Sequence, residues 1–203
     1  MLRVGLTGGI ATGKSIVGEM LVGMGCHLID SDRITHDLLR TGEAVHAAVV
    51  GEFGNRILAP DGAIDRRILG GIVFNDPNAR KTLNSLVHPA VFQRQQEWLG
   101  QVQAQDPDGI AIVDAALMIE AGRYKSYDRI IVVTCSPEVQ RKRLKSRSTL
   151  SDDEIEARIR AQMPMEEKVK YADFVIDNSG TIAETQKQVE DVYAKLRAEA
   201  LQK

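Results

Sequence analysis

Gly8-Gly9-Ile10-Ala11-Thr12-Gly13-Lys14-Ser15 follows the spacing G-x-x-x-x-G-K-[ST], the pattern of a phosphate-cradling P-loop. An apolar run, Leu2 to Leu6, precedes it and reads as a strand. Ile16, Val17, Met20, Leu21 and Met24 follow at helical spacing and share one face. Strand, glycine-rich turn and helix form the context this motif requires. Glycines let successive peptide N–H groups turn toward an anion. The free N–H groups and the positive dipole end of the new helix add to that attraction. On this reading Gly8, Gly9, Ile10, Ala11, Thr12 and Gly13, with Lys14, Ser15 and Ile16 of the helix, wrap the phosphates of a nucleotide. Lys14 reaches the β- and γ-phosphates, and the Ser15 hydroxyl binds Mg²⁺. The plainer alternative is a glycine-rich turn that only caps a helix.

The 203 residues suffice for one domain, or for a core with a small insertion, and a hydrophobic content of 43 % supports a buried core. A net charge of −2 gives no overall pull toward nucleic acid, so anion binding must come from local clusters. Cys26 and Cys135 are isolated and lack metal-type spacing; they read as reduced, packed thiols. Neither a signal-type start nor a run of about 18 apolar residues is present. The expectation is a cytoplasmic protein that binds neither membrane nor nucleic acid, as a monomer or weak homo-oligomer.

After the first helix, Gly25 marks its end, and a short strand finishes at Ile29, followed by Asp30 and Asp32. Ligands of open parallel sheets bind at the carboxyl ends of strands. One of the two carboxylates is expected to face the reaction centre. The alternative is a helix N-cap with a solvated acid, since Ile34, Leu38 and Leu39 begin a helical pattern. From Ile34 to about Gln105 the pattern is helical. Ala59–Gly62 is a turn, Asp65 opens one helix, Asp76-Pro77-Asn78 caps the next, and His88-Pro89 should break it. This stretch is too long for a simple crossover and predicts a helical subdomain. His88 alone reads as a hydrogen-bonded structural histidine, and Trp98 as packing.

Ile110–Asp114 is a buried strand ending in an acid, the Walker-B arrangement whose carboxylate orients Mg²⁺ or its water; a helix cap is the other reading. Arg129–Thr134 is the next central strand. Ser136-Pro137-Glu138 opens a helix carrying Arg141, Lys142, Arg143, Lys145 and Arg147, with Arg143 and Arg147 on one face. A solvated basic face and a nucleic-acid surface are possible meanings, although aromatics are not interleaved. The third is a mobile arm that sets guanidinium groups over phosphates. Ser151–Glu154 is a capping box for a helix with Ile155, Ile159 and Met163, and the Ser148–Ser151 turn would join the two helices as a lid. Tyr171–Asp177 is the last strand, and Thr181–Glu184 caps a terminal helix ending near Leu201.

At this point the chain resembles the dephospho-coenzyme A kinase family. The resemblance rests on LTGGIATGKS (6–15), IDSD (29–32), DRRIL (65–69), VHP (87–89), VDAALMIE (113–120), RIRAQMPMEEK (158–168) and ADFVIDNSG (172–180). Ala11 stands where the family often has glycine, Ile16 where it often has threonine, and Ala116 where it usually has proline. The resemblance implies an α/β P-loop kinase with a five-stranded parallel sheet. Its nucleotide-binding core would be 1–33, 109–136 and 172–203. A helical acceptor-binding insertion would be 34–108, and a lid 137–171. It implies transfer of the ATP γ-phosphate to the ribose 3′-hydroxyl of dephospho-coenzyme A, with Mg²⁺ held by Ser15 and Asp114. It makes Asp32 the base at the acceptor hydroxyl, supported by Asp30. It makes Lys14 and a lid arginine, Arg143 first and Arg147 next, the groups that stabilise transferring charge. It sets Asn178 and Gly180 near adenine, and Arg66 and His88 on the acceptor side. A nucleoside monophosphate kinase shares the P-loop and arginine lid but not the IDSD and VHP pair. A guanine-selecting N-K-x-D, which a regulatory switch would need, is absent.

Overall fold

Leu2–Gly8 (β1), Ile110–Asp114 (β3) and Arg129–Thr134 (β4) are short apolar runs buried along almost their whole length. Such runs suit strands covered on both faces, as a parallel sheet with helical crossovers requires. With His27–Asp30 (β2) and Phe174–Asp177 (β5) they form one five-stranded sheet in the order β2-β3-β1-β4-β5. β1 pairs in parallel with β3, Leu6 opposite Asp114, and with β4, Gly8 opposite Val133; β4 pairs in parallel with β5. The chain leaves β1 toward one side, through β2 and β3, and then crosses to β4 on the other. The carboxyl end of β1 is therefore the switch point of the sheet, where a ligand crevice belongs.

The computed structural model describes residues 1–147 and 151–203. These divide into two compact units, Met1–Ile29 with Gly100–Lys203, and Asp30–Leu99. In the first, Lys14–Gly23 (α1) lays Val17 and Leu21 onto β1, β3 and β4, with Met20 and Met24 packed at the margin. Ile182–Ala200 (α9) contributes Val189, Val192, Leu196 and Ala200 to the same core. Both capping boxes form, at Ser151 for Asp152–Arg160 (α7) and at Thr181 for α9. Ser136 caps Pro137–Arg147 (α6), its hydroxyl accepting from Val139 N–H at 3.2 Å. Met165–Val169 (α8) is a short helix that the sequence pattern leaves unassigned. The turn expected at Ser148–Ser151 falls largely on residues 148–150, outside the described residues. No helix among the described residues is long and apolar enough to cross a membrane.

The second unit is helical, as its sequence pattern predicts: Ser31–Leu38 (α2), Ala44–Phe53 (α3), Arg66–Asn75 (α4) and Pro77–Gln105 (α5), the last running on into the first unit. Two expectations are corrected here. Asp30 and Asp32 do not share an extended segment; of the two readings given for them, the helix cap holds. Asp30 is the N-cap of α2, its carboxylate accepting from Asp32 N–H at 2.8 Å and Arg33 N–H at 3.3 Å, so Asp32 sits in the first helical turn. His88-Pro89 does not break the helix: Pro89 lies inside the 29 residues of α5. Proline removes one backbone bond, at a cost of about 3 kcal/mol. Burial on either side, at Val87, Gln95 and Leu99, holds the helix through that gap, and Gln95 donates to the Ser31 hydroxyl at 2.8 Å.

Candidate active site

At the carboxyl end of β1 the chain turns through Gly9–Gly13 into α1. Gly13 has φ +88°, and a Cβ there would fall 1.9 Å from the Asn178 side chain, so only glycine fits. Ala11 also takes a left-handed conformation, φ 58°, alone among the described non-glycine residues. That conformation costs an L-residue about 1–2 kcal/mol, so contacts around the loop must hold it. Thr12 is one such contact: its hydroxyl donates to the Gly9 carbonyl at 3.0 Å. The buried Asn178, which follows β5, is another. Its amide donates to the Thr12 carbonyl at 2.8 Å, and its side-chain oxygen accepts from the Thr185 hydroxyl at 3.0 Å.

Lys14, in the first turn of α1, pairs with Asp114 at the end of β3. Side-chain exposures of 14 % and 7 % mark this pair as one that water barely screens. No helix begins at Asp114, so the cap reading for it does not hold; the chain continues into a turn whose Ala115 N–H donates to the Leu6 carbonyl. Ser15 is exposed one residue beyond Lys14. A hydroxyl and a carboxylate are the hard oxygen donors that Mg²⁺ takes, and Mg²⁺ commonly uses one or two protein oxygens with phosphates and waters completing its shell. Among the described residues no group of three acids, histidines or cysteines could hold a metal by itself.

The arginines separate. Arg143 of α6 donates to the Thr12 carbonyl at 3.1 Å and the Asn178 carbonyl at 2.9 Å, which ties it to the loop. Arg147, four residues on, is exposed at the end of α6. Other cations of this helix pair with α7, Arg141 with Glu156 at 2.5 Å and Lys145 with Asp152 at 2.7 Å, so the basic face is partly neutralised by its neighbour. Gly180 lies exposed in the turn after Asn178.

In the second unit Asp32 and Arg66 line one cavity of about 250 Å³ with apolar walls from Leu39, Leu69, Val73 and Leu83. His36, one turn beyond Asp32, also lines it. His88 is on α5, exposed, and is not part of that wall. Both thiols are poor nucleophiles. Burial pushes Cys26 up to about 12 and also raises Cys135.

Sequence reading missed several residues around the loop. Gln140 of α6 and Gln162, beyond α7, both bond to Ile10. Lys168 of α8 is fully buried, donating to the Ala116 carbonyl at 2.8 Å and pairing with Glu120 at 2.9 Å. Gln162 and Lys168 fall within the RIRAQMPMEEK segment, which offered a signal; Gln140 offered none.

The family model described as dephospho-CoA kinase matches residues 2–184. A dephospho-CoA kinase from Aquifex aeolicus is 42 % identical over 97 % of this chain and 98 % of its own. The crystal structure of TT1252 from Thermus thermophilus superimposes with a TM-score of 0.80 at 31 % identity, covering 96 % of this chain and 97 % of that one. A dephospho-CoA kinase structure from Campylobacter jejuni gives 0.73 at 29 % identity, covering 97 % and 98 %. With a P-loop at the switch point of a five-stranded α/β sheet and relatives matched over nearly their full length, this chain belongs to the dephospho-CoA kinase family.

Proposed function

We propose that this chain transfers the γ-phosphoryl group of ATP to the ribose 3′-hydroxyl of dephospho-coenzyme A, giving coenzyme A and ADP. The observation that carries the reading is the Lys14–Asp114 pair set beside the glycine-rich loop, in a chain whose family match spans residues 2–184. On this reading the donor side is the core of 1–33, 109–136 and 172–203, the acceptor side is 34–108, and 137–171 is a lid.

Peptide N–H groups of the loop, apart from those of Ile10 and Thr12, which bond Gln162 and the Gly9 carbonyl, and the amino end of α1 bind the phosphates. Lys14 neutralises charge on the β- and γ-phosphates. Ser15 and Asp114 would hold Mg²⁺, which when bound supplies further neutralisation there. The acceptor oxygen attacks the γ-phosphorus as the bond to the leaving ADP oxygen breaks. Asp32 orients the hydroxyl and takes its proton late, as the new bond forms. Asp30 supports Asp32 through its N-cap bond to the Asp32 N–H. Arg143 has five N–H donors, which serve the Thr12 carbonyl, the Asn178 carbonyl and the Cys135 thiol; a donor beyond these can reach a nucleotide beside it, and Arg147 offers a second guanidinium. Asn178 and Gly180 lie toward the adenine. Arg66, on the wall with Asp32, and His88 meet the acceptor.

An ADP-release assay comparing acceptors tests the reading. Dephospho-coenzyme A should support turnover and adenosine monophosphate should not; equal rates, or none with dephospho-coenzyme A, would overturn it. Asp32→Asn should keep ATP affinity within about twofold and lose at least about a hundredfold in kcat, the lower end of what a general base contributes. Unchanged turnover would remove Asp32 from its role.

A further inference from the structure

Ile10 is held in an unusual way. Its N–H donates to the Gln162 side-chain oxygen at 2.7 Å, and its carbonyl accepts from the Gln140 side-chain amide at 2.8 Å. Both polar groups of one loop residue are thus taken by side chains, one from α6 and one from the segment after α7. The next residue is Ala11, in its left-handed conformation at φ 58°. Gln162 is itself fixed from behind. The N–H of the adjoining Met163 donates to Glu120 at 3.2 Å, and Glu120 pairs with the buried Lys168.

We propose that Gln140 and Gln162 are positioning residues that clamp the Ile10 peptide and thereby force Ala11 into the turn that aims the loop's N–H groups at phosphate. The inference rests on the nucleotide-binding reading above. A strained residue persists only where its surroundings over-determine it, and two amide hydrogen bonds on the preceding residue do so. Glycine at position 11 would take the same turn without help. The clamp and the alanine are therefore coupled: the glutamines matter because residue 11 carries a Cβ.

ATP affinity measured by direct titration, without acceptor, tests the coupling and does not depend on which acceptor the enzyme uses. Gln162→Met and Gln140→Met keep side-chain length and lose the bond. Each should weaken ATP binding about fivefold, as expected for the loss of one neutral hydrogen bond, and leave the dissociation constant of dephospho-coenzyme A unchanged. Adding Ala11→Gly to either variant should restore ATP affinity to within about twofold of the unsubstituted enzyme, the signature of coupled sites in a double-mutant cycle. Unchanged ATP binding in both glutamine variants overturns the proposal. So does weakened binding that Ala11→Gly fails to restore, because the glutamines would then act on something other than the loop's shape. A thermal melt of each protein identifies a variant that fails to fold, and the other glutamine then decides the matter. If the enzyme turned over a different acceptor, the function proposed above would fail while this ATP titration still held.

Discussion

Ala11 is where a single methyl group bears on stability and binding together. The left-handed conformation at φ 58° costs alanine about 1–2 kcal/mol. Glycine would remove that cost but add about 0.5–1 kcal/mol of unfolded-chain entropy. The balance favours Ala11→Gly by up to about 1.5 kcal/mol, read as a higher urea midpoint with an unchanged slope; a lower midpoint would mean the methyl group packs better than it strains. At Gly13 the sign reverses, because a Cβ there meets the Asn178 amide at 1.9 Å. Gly13→Ala should displace Asn178 from Thr12 and weaken ATP binding more than tenfold in the same titration, the equivalent of about 1.4 kcal/mol or more. At this scale the motif's spacing marked Lys14 and Ser15, and an apolar run ending in an acid marked Asp114; the structure brings Lys14 and Asp114 together as a pair. Gln140 and Gln162 were not legible. They act through side-chain amides on a backbone group more than a hundred residues away in sequence, and no local pattern encodes such a contact.

Helix ends were legible for the opposite reason: their chemistry is local. The boxes at Ser151 and Thr181 close through bonds across three residues, Ser151 N–H to Glu154 at 2.8 Å and Thr181 N–H to Glu184 at 2.7 Å. Those backbone bonds hold both glutamate carboxyls below the usual carboxylate range. A carboxyl whose folded value is depressed stabilises the fold at pH above its unfolded value, and that contribution is lost as pH falls through the folded one. Stability should therefore decline below about pH 4.3, the ordinary glutamate value. Glu184→Gln should flatten that acid limb in melts recorded across pH, and an identical limb would exclude the box as a contributor. Thr181→Ala should cost about 1 kcal/mol at neutral pH. Elements failed to be legible where tertiary contacts outweigh a local rule. Pro89 should have ended a helix, yet Val87, Gln95 and Leu99 are buried on its two sides, and the helix runs through. Asp30 and Asp32 read either as two residues of a strand end or as a helix cap with a solvated acid, and the cap is what forms: Asp30 caps the helix that contains Asp32.

At the scale of the whole molecule, a parallel α/β sheet follows from few facts: buried apolar strands, helical connections, and a phosphate loop after β1; the strand order itself came from the structure. The long helical stretch between β2 and β3 announced a second unit for want of strands, and its cavity at Asp32 and Arg66 could not be foreseen, since Leu39 just past α2, Leu69 of α4 and Leu83 of α5 build it. A ligand that binds only the folded chain must stabilise it by mass action. ATP with Mg²⁺ at about a hundred times its dissociation constant should add about 2.7 kcal/mol, and a chain of this length gains about 2–4 °C per kcal/mol. The melting midpoint should therefore rise by about 5–10 °C. Lys14→Met should lose most of the rise, because it removes the charge that meets the phosphates. Asp32→Asn should keep the full rise, because Asp32 is assigned to the acceptor. Equal loss in the two variants would mean that Asp32 serves ATP itself, and the division into donor and acceptor sides would then fail even with turnover intact.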